Sequence, residues 1–238
     1  MKAGARFVCA LVTALILLSA SLFPAQAQSY GRVYLMRGLA NVFSQGMDVL
    51  AAKLQQRGIN AQVYEYGQWQ ALADEAVAWS RANGKAPIVI IGHSLGADTA
   101  ITMAERMTSL GLPPRLVFTF DPVGETQVAN TGGKFINYYQ SNNGFGKRLS
   151  IGPRFTGQLV NRNLDAMGAI DHFNIEKSAA LHAEVISAIA AVMRRPSRPK
   201  PVAPTAPEVS APAPSAPSAA ATTSDATAAH AVSQPAVR

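Results

Sequence analysis

The sequence predicts an α/β protein, a three-layer domain built on a mostly parallel sheet of about five to six strands, without a separate cap domain. Short β-prone segments alternate with amphipathic helical patterns along most of the chain. The connections between them are short, which favours parallel strands joined by right-handed crossovers. Segments such as Ile88 to Ile91 are apolar throughout, as strands covered on both faces should be.

The amino-terminal segment differs from the predicted domain, which is expected to occupy residues 28–195. Lys2 and Arg6 precede an apolar run, and Ala25-Gln26-Ala27 has the small-x-small pattern of a cleavage site. These features predict a signal peptide at residues 1–27 and therefore an exported protein, either periplasmic or secreted. The alternative is an uncleaved membrane anchor. No later segment is apolar enough over sufficient length to cross a bilayer.

The carboxyl-terminal segment, residues 196–238, is rich in Pro, Ala, Ser and Thr and has almost no large apolar side chains. Such a composition buries too little surface to offset the entropy of ordering, so a disordered tail is predicted. The tail is either a spacer in contact with the cell envelope or an inert solvated segment.

Charge and cysteine content exclude some functions. The full chain has a net charge of +7, but between Gln28 and Met193 there are 14 basic and 12 acidic residues, a net charge of +2. This segment has no basic stripe with interleaved aromatic residues, so nucleic-acid binding is not expected. The single cysteine, Cys9, lies in the predicted signal peptide, and the mature chain should have no disulfide or thiol chemistry.

The first half of the domain is predicted to contain two strand–helix units. Arg32 to Met36 is the first β-prone segment. Ser44 is expected to cap a helix that ends near Arg57. Residues 61–66 alternate as a second strand, and the apolar spacing of residues 69–82 predicts a second helix.

The second half is predicted to contain three more strands and two more helices. In chain order these are strand Ile88–Ile91, helix Leu95–Ser109, strand Leu116–Phe120, strand Phe135–Gln140 and helix Ile175–Met193. The Gly- and Asn-rich residues 141–170 are expected to be irregular.

The third strand is followed by Gly92-His93-Ser94-Leu95-Gly96 and then by a helical pattern. Gly-x-Ser-x-Gly between a strand and a helix is typical of a nucleophile elbow, a strained turn that raises the serine hydroxyl above the edge of the sheet. Side chains at the two glycine positions would collide with the neighbouring strand and helix. Ser94 is therefore the candidate nucleophile; the alternative is a serine that only caps the helix.

A serine hydroxyl needs a base to accept its proton, and four histidines are available. His172 lies after all the predicted strands and before the last helix, where a loop can return to Ser94. It is the predicted base, with a surface histidine or a histidine at the amino end of the last helix as the alternative. His93 should pack beside the elbow, His182 should face the core from the last helix, and His230 lies in the predicted tail.

The base needs an acid that fixes its tautomer and stabilises its charged form. Asp121 ends the strand after the elbow unit, which should place its carboxylate at the same sheet edge as Ser94. It is the predicted acid, and a structural turn aspartate is the alternative. Asp165 and Asp171 are rivals, whereas Asp98 is expected on the surface of the helix after Ser94.

An oxyanion needs hydrogen-bond donors, and two backbone N–H groups are predicted to supply them. One is that of Leu95, directly after the nucleophile. The second should come from the loop after the first strand, at Leu39 or Ala40, where Gly38 lets the backbone approach closely. Ser44 in the same region is expected to act as a helix cap rather than as a donor.

The motif Gly-His-Ser-Leu-Gly, then Asp121-Pro122, then His172, resembles the α/β-hydrolase superfamily, particularly its small lipase-, esterase- and thioesterase-like members. The resemblance spans about residues 32–193 and implies a compact α/β-hydrolase domain that cleaves esters or thioesters through an acyl-enzyme. The loop after the first strand departs from the His-Gly-Gly-Gly pattern, which leaves the second oxyanion donor unassigned.

Function is predicted from this set of residues: an exported serine hydrolase that acts on a small-molecule or lipid ester or thioester. No metal or other cofactor is expected, because no metal-ligand spacing is present. Acyl transfer to an alcohol would use the same residues and stays open. The second hypothesis is a non-catalytic envelope protein that keeps the fold and uses the tail as a spacer.

Overall fold

A computed structural model describes residues 30–39 and 44–194 of the 238-residue chain. The predicted signal peptide, residues 1–27, and the predicted disordered tail, residues 196–238, lie outside the described residues and stay predictions. Within those two described ranges, none of the helices has the length and apolar character that crossing a bilayer would require.

The sheet is entirely parallel in its six main strands, which are ordered β2-β1-β3-β4-β6-β8. A separate two-stranded parallel pair is formed by β5 and β7. In chain order the strands are β1 (Arg32–Arg37), β2 (Asn60–Glu65), β3 (Ile88–His93), β4 (Leu116–Phe120), β5 (Gln127–Val128), β6 (Lys134–Tyr139), β7 (Ser150–Ile151) and β8 (Gln158–Asn163).

Helices cover both faces of the sheet and confirm the predicted three-layer α/β architecture. They are α1 (Gln45–Gln55), α2 (Trp69–Ala82), α3 (Leu95–Ser109) and α4 (Ala179–Val192), with short 3₁₀ segments at Tyr66–Gln68 and Ile175–Lys177. Helices α1 and α4 pack in one core cluster, and α2 and α3 pack in the other. No connection within the described residues carries a helical insertion that would form a cap domain.

The alternation of side chains along the central strands divides the core between these two clusters. Leu35 and Ile91 face α1 and α4, whereas Met36 and Ile90 face α2 and α3. All residues of β3 and β4 are buried, as their apolar composition predicts for strands between two helical layers. The carboxyl ends of these two strands are thereby held rigidly at one edge.

The prediction that residues 141–170 are irregular is wrong at β8. This strand pairs in parallel with β6 along its whole length but forms the edge of the sheet. Its sequence, Gln-Leu-Val-Asn-Arg-Asn, has few apolar residues because most of its side chains are exposed or half-buried. An edge strand with a polar face gives a weak periodic signal, which is why only its position in the sheet reveals it.

The expected alternation of strand and helix also stops after β4. The connections from β4 to β6 and from β6 to β8 contain no helix, only the short strands β5 and β7. These pair with each other, and Val128 and Leu149 from this region join the core cluster of α2 and α3. The pair, which was not predicted, therefore covers part of the sheet beside strand connections that contain no helix.

The last predicted helix, residues 175–193, is interrupted. A 3₁₀ turn at Ile175–Lys177 comes first, and Ser178 then caps α4 by accepting a hydrogen bond from the N–H of Leu181 at 3.4 Å. The interruption separates the segment that follows His172 from the helix that packs on the core.

The carboxylate of Glu176 lies buried in this turn. The residue has no exposed surface, and neither carboxylate oxygen has a hydrogen-bond partner among the described residues. The ammonium group of Lys177 is 3.8 Å from Oε1. Burial raises the pKa of Glu176, so the native state loses stability as the pH rises above the ordinary range of a glutamate.

We expect Glu176→Gln to increase the free energy of unfolding by about 1–2 kcal/mol at pH 7, because it removes a buried charge without a hydrogen-bond partner. The gain should disappear near pH 4, where Glu176 is protonated in both states. Urea unfolding at the two pH values measures this. Glu184→Gln, which removes a carboxylate paired with Arg162 near the surface, is the control and should change stability little. An equal gain at both pH values would contradict the explanation.

Candidate active site

The ends of β3 and β4 bring Ser94 and Asp121 to the same edge of the sheet. The two strands are neighbours, with His93 beside Phe120 in the register, so the next residue of each chain segment leaves the sheet at the same level. The N–H of Ser94 donates to the carbonyl oxygen of Phe120 at 2.9 Å. Ser94 and Asp121, which are well separated along the chain, therefore lie close together at the edge of the sheet.

Ser94 has the strained backbone that the elbow motif predicts, with φ 57° and ψ −126°. A Cβ added at Gly92 would overlap the carbonyl oxygen of Gly96, and one added at Gly96 would overlap that of Met36. Both glycines are thus required by close backbone approaches. A Cβ at Gly38 would lie 2.9 Å from Cβ of Ser94, so the loop after β1 passes directly beside the serine.

His172 lies between the other two residues. Its Nε2 is 3.1 Å from Oγ of Ser94, and its Nδ1 is 2.7 Å from Oδ2 of Asp121. The imidazole is buried, and Asp121 has no exposed surface. Because the carboxylate accepts, Nδ1 carries the proton, which leaves Nε2 free to accept the proton of the serine hydroxyl. The structure brings together the three residues predicted as nucleophile, base and acid.

Besides His172, two donors hold the carboxylate of Asp121, and a backbone hydrogen bond that Asp121 donates fixes its main chain. The N–H of Gln140 donates to Oδ1 at 3.0 Å, and the side-chain amide of Asn143 donates to Oδ2 at 2.6 Å. The backbone N–H of Asp121 donates to the carbonyl oxygen of Tyr138 at 2.8 Å. The carboxylate is therefore fixed in orientation by hydrogen bonds at both of its oxygens.

His93 does more than pack beside the elbow. Its Nε2 is 2.8 Å from the carbonyl oxygen of His172, and its Nδ1 is 2.9 Å from Oγ of Ser44. Oγ of Ser44 in turn accepts from the N–H of Gly38 at 3.0 Å. Burial lowers the pKa of His93 to about 4, so the ring is neutral at pH 7.

The prediction that Ser44 caps α1 is wrong. Its side chain makes no capping hydrogen bond to that helix. The hydroxyl instead points to His93 and Gly38, because it is buried at the point where the loop after β1 passes the elbow. Ser44 therefore links that loop to the residue before the nucleophile.

The rival acids are occupied elsewhere. Asp165 accepts from the N–H of Ser141 at 2.8 Å, and Asp171 accepts from the N–H of Phe173 at 2.8 Å. Asp98 is half-buried rather than a plain surface residue of α3, and its carboxylate accepts three backbone N–H groups from residues 123–125. It holds the loop after Asp121, and burial raises its pKa.

His182 has partners other than the site. Its Nδ1 is 3.0 Å from the ammonium nitrogen of Lys53, and its Nε2 is 2.6 Å from the carbonyl oxygen of Glu176. Burial lowers the pKa of His182. This agrees with the predicted position on the core face of the last helix.

The predicted oxyanion donors flank Ser94, and their role stays a prediction. The N–H of Leu95 is the first of α3 and has no acceptor within the helix. Leu39 is exposed and lies on the rim of the cavity beside Ser94. Ala40, the alternative donor, lies outside the described residues. The N–H of Gly38 is already bonded to Ser44.

A mostly apolar cavity of about 400 Å³ opens beside Ser94. Its lining residues are Gly38, Leu39, Ser44, His93, Ser94, Leu95, Val123, Phe145, His172 and Phe173. A larger groove of about 1030 Å³ lies next to the amino ends of the strands, and its lining includes Lys85, Arg115 and Lys134. It lies at the opposite edge of the sheet from the nucleophile, so the smaller cavity is the candidate substrate site.

Sequence reasoning did not identify Asn143 and Phe145, which contact the acid and the base. The ring of Phe145 stacks on the imidazole of His172, with centroids 4.4 Å apart and planes 18° apart. Both residues belong to Asn142-Asn143-Gly144-Phe145-Gly146, whose composition indicates a tight turn. That signal predicts a turn but does not show which asparagine faces Asp121.

Residues 28–134 match the model of the family described as Thioesterase domain, which is somewhat less than half of the chain. The matched segment contains Ser94 and Asp121 but not His172. No curated protein matches the chain significantly.

Three solved structures illustrate what the fold is similar to. Human thioesterase 2 is 10% identical, with 71% of this chain and 100% of that chain covered and a TM-score of 0.45. The esterase domain of a Rhodothermus marinus protein is 12% identical, with 71% and 88% covered and a TM-score of 0.47. An α/β serine hydrolase without lid from Xanthomonas campestris is 16% identical, with 74% and 87% covered and a TM-score of 0.47.

The family match ends at residue 134, within the first part of the domain. Three observations indicate the same kind of fold. They are the parallel sheet between two helical layers, the elbow at its carboxyl edge and the family match. The chain has a three-layer α/β fold with a parallel sheet, and its residues 28–134 are similar to the thioesterase domain.

Proposed function

We propose that this protein is a serine hydrolase that cleaves carboxylic ester or thioester bonds through an acyl-enzyme. The observation that carries the proposal is the hydrogen-bonded series Ser94–His172–Asp121, with separations of 3.1 and 2.7 Å. The resemblance to the thioesterase domain supports the same reaction class. Each of the three side chains has the chemistry that its proposed step requires.

In the first half of the reaction, Oγ of Ser94 attacks the substrate carbonyl carbon while Nε2 of His172 takes the hydroxyl proton. The carbonyl π electrons move to oxygen, and the resulting oxyanion is stabilised by the N–H of Leu95 and a donor proposed at Leu39. Asp121 stabilises the imidazolium form of His172. The tetrahedral intermediate then collapses, and His172 gives its proton to the departing alkoxide or thiolate.

In the second half, a water molecule attacks the acyl-enzyme, and His172 accepts a proton from it. The second tetrahedral intermediate collapses with return of that proton to Oγ of Ser94, which releases the carboxylic acid and restores the enzyme. An alcohol could replace the water and give acyl transfer. Competition between water and an added alcohol, measured by the ratio of acid to new ester, distinguishes hydrolysis from transfer.

The cavity wall supports an apolar acyl group as the part of the substrate that binds beside Ser94. Leu39, Phe145 and Phe173 are large apolar residues with exposed surface on or beside this cavity. Burial of their surface against an acyl chain would contribute to binding. We therefore expect p-nitrophenyl esters with short to medium apolar acyl chains to be better substrates than acetylated sugars or peptides.

The test is labelling with a fluorophosphonate, which forms a covalent bond to an activated serine. We expect labelling of the wild-type protein and no labelling of Ser94→Ala. Ser109→Ala, which changes an exposed serine at the end of α3, is the matched control and should label normally. Labelling that persists in Ser94→Ala would remove the assignment of the nucleophile.

Export is a separate part of the proposal. It rests on the sequence of residues 1–27. The test is to fractionate the cells, isolate the protein from the periplasm or the medium, and determine its amino-terminal sequence, which should begin after residue 27.

The competing function, a non-catalytic envelope protein, rests on the composition of residues 196–238. Deletion of residues 196–238 should leave ester hydrolysis intact if the domain is the enzyme. Loss of envelope association in a protein with no hydrolytic activity would favour the alternative.

A further inference from the structure

The turn at residues 140–146 is built directly against the acid and the base. It follows β6, the strand beside β4, so its backbone lies next to the point where Asp121 leaves the sheet. A Cβ added at Gly146 would overlap Oδ1 of Asp121, which shows that this backbone contacts the carboxylate itself. The contact leaves no room between the turn and Asp121.

Within this turn, Asn143 shares an acceptor atom with the base. Its amide nitrogen is 2.6 Å from Oδ2 of Asp121, the same oxygen that is 2.7 Å from Nδ1 of His172. Oδ1 is engaged by the N–H of Gln140. The two donors to Oδ2 define the plane of the carboxylate relative to the imidazole, because each must find a lone pair in that plane.

The other end of the same amide fixes the position of Phe145. Oδ1 of Asn143 accepts from the N–H of Phe145 at 2.8 Å and from the N–H of Gly146 at 3.0 Å. This closes the turn so that the ring of Phe145 stacks on His172 at 4.4 Å. The side chain of Asn143 therefore contacts Asp121 directly. It also fixes the position of Phe145, which contacts His172.

We propose that Asn143 is a positioning residue, whose amide group orients the carboxylate of Asp121 and, through the turn that presents Phe145, the imidazole of His172. The inference rests on the proposed function, since Asp121 and His172 matter for rate only if they act as acid and base. Asn143 does not line the cavity beside Ser94, so it has no direct contact with the substrate expected there. Its effect should appear in kcat rather than in KM.

Asn143→Asp separates the two halves of this role. Aspartate keeps the oxygen that accepts from Phe145 and Gly146, so the turn can still close. It replaces the amide donor by an oxygen that repels Oδ2 of Asp121. We expect kcat for p-nitrophenyl butyrate to fall about 10- to 100-fold, the size associated with loss of one hydrogen bond to a charged group, with KM changed by less than about twofold.

The matched control is Asn142→Asp, the same chemical change at the exposed neighbouring residue. It adds the same charge to the turn without removing a donor to Asp121, and its kcat should be close to that of the wild type. A wild-type kcat in Asn143→Asp would overturn the proposal, and so would an equal loss in both variants. If Asn143→Asp does not fold at neutral pH, Asn143→Ala replaces it; this variant removes both the donor to Asp121 and the acceptor that closes the turn, and a wild-type kcat there would equally overturn the proposal.

A second readout does not depend on turnover. In proteins that also carry Ser94→Ala, the Nδ1 proton of His172, hydrogen-bonded to Asp121, should give a low-field proton resonance. We expect Asn143→Asp to shift or remove this signal and Asn142→Asp to leave it unchanged. An unchanged signal in Asn143→Asp overturns the positioning role. Failure of the wild type to react with fluorophosphonate would instead count against the proposed function, and the resonance would still report on Asn143.

Discussion

Replacement of Asp121 by asparagine is expected to lower kcat for ester hydrolysis on the order of 10⁴-fold. The change keeps the shape of the side chain but turns one acceptor into a donor. An amide nitrogen facing Nδ1 of His172 favours the tautomer in which Nδ1 is unprotonated and Nε2 carries the hydrogen. Nε2, which is 3.1 Å from Oγ of Ser94, would then have no lone pair to accept the serine proton.

The measurement is kcat with p-nitrophenyl butyrate, together with the rate of fluorophosphonate labelling, which should fall in parallel because both reactions need the activated serine. Asp165→Asn is the matched control, since Asp165 is a half-buried carboxylate that accepts a hydrogen bond from Ser141 and does not contact His172. We expect the control to retain most of the wild-type rate. A larger loss in Asp165→Asn than in Asp121→Asn would show that the acid has been assigned wrongly.

The sequence predicts the centre of this fold well because its signals there are local. Helices α2 and α3 and strand β4 have the predicted boundaries, since their apolar periodicity ends at Gly, Pro or Asn residues. Strand β8 was not predicted because only pairing with β6 at the sheet edge stabilises it. The short strands β5 and β7 were not predicted for a similar reason, since each has two residues and is stabilised by pairing with the other.

The candidate site, like the fold, is predicted by the sequence only in part. The positions of Ser94 and Asp121 at one edge follow from their places at the ends of neighbouring strands, and a motif marks the serine. Contacts that depend on side-chain direction do not follow from the sequence. Ser44 has a side chain that favours the capping position of a helix, yet its hydroxyl points to His93. Asn143 is one of two adjacent asparagines, and only the folded turn selects it.

The hydrogen bonds of His93 predict the second large effect, that of His93→Phe. Nε2 faces the carbonyl oxygen of His172, which can only accept, so Nε2 carries the hydrogen and Nδ1 accepts from the hydroxyl of Ser44. Phenylalanine fills a similar volume but leaves the carbonyl oxygen of His172 without the bond from His93 and the buried hydroxyl hydrogen of Ser44 without an acceptor. We expect the free energy of unfolding at pH 7 to fall by about 3 kcal/mol.

Activity should fall as well, by about 100-fold in kcat, because the lost bonds hold two parts of the site. One is the backbone of His172, whose ring accepts the serine proton in the proposed reaction. The other is the loop at Gly38, which passes beside Ser94 and is held by Ser44. Val185→Ala, a truncation in α4 away from the cavity, is the control: it should cost about 2 kcal/mol of stability while kcat stays near the wild-type value.

The stability effect of His93→Phe should depend on pH in a direction that the structure sets. Burial lowers the pKa of His93 to about 4, although the hydrogen bond to the carbonyl oxygen of His172 favours the charged ring. Asp121 also favours the charge, whereas the imidazole of His172 and Lys177 oppose it. The unfolded chain binds a proton at this residue below about pH 6.5, whereas the native state does not until about pH 4, so the stability that neutral His93 contributes is lost as the pH falls between these values.

The difference in unfolding free energy between the wild type and His93→Phe should therefore narrow from about 3 kcal/mol at pH 7 towards zero near pH 4. Urea unfolding of both proteins at pH 7, 5.5 and 4.5 measures this difference. His182 titrates in both proteins and cancels from it. Val185→Ala removes no titratable group, so its difference in unfolding free energy from the wild type should not change with pH. If the difference for His93→Phe also did not change with pH, His93 would not be held neutral by its burial. The proposed direction of its two hydrogen bonds would then be wrong.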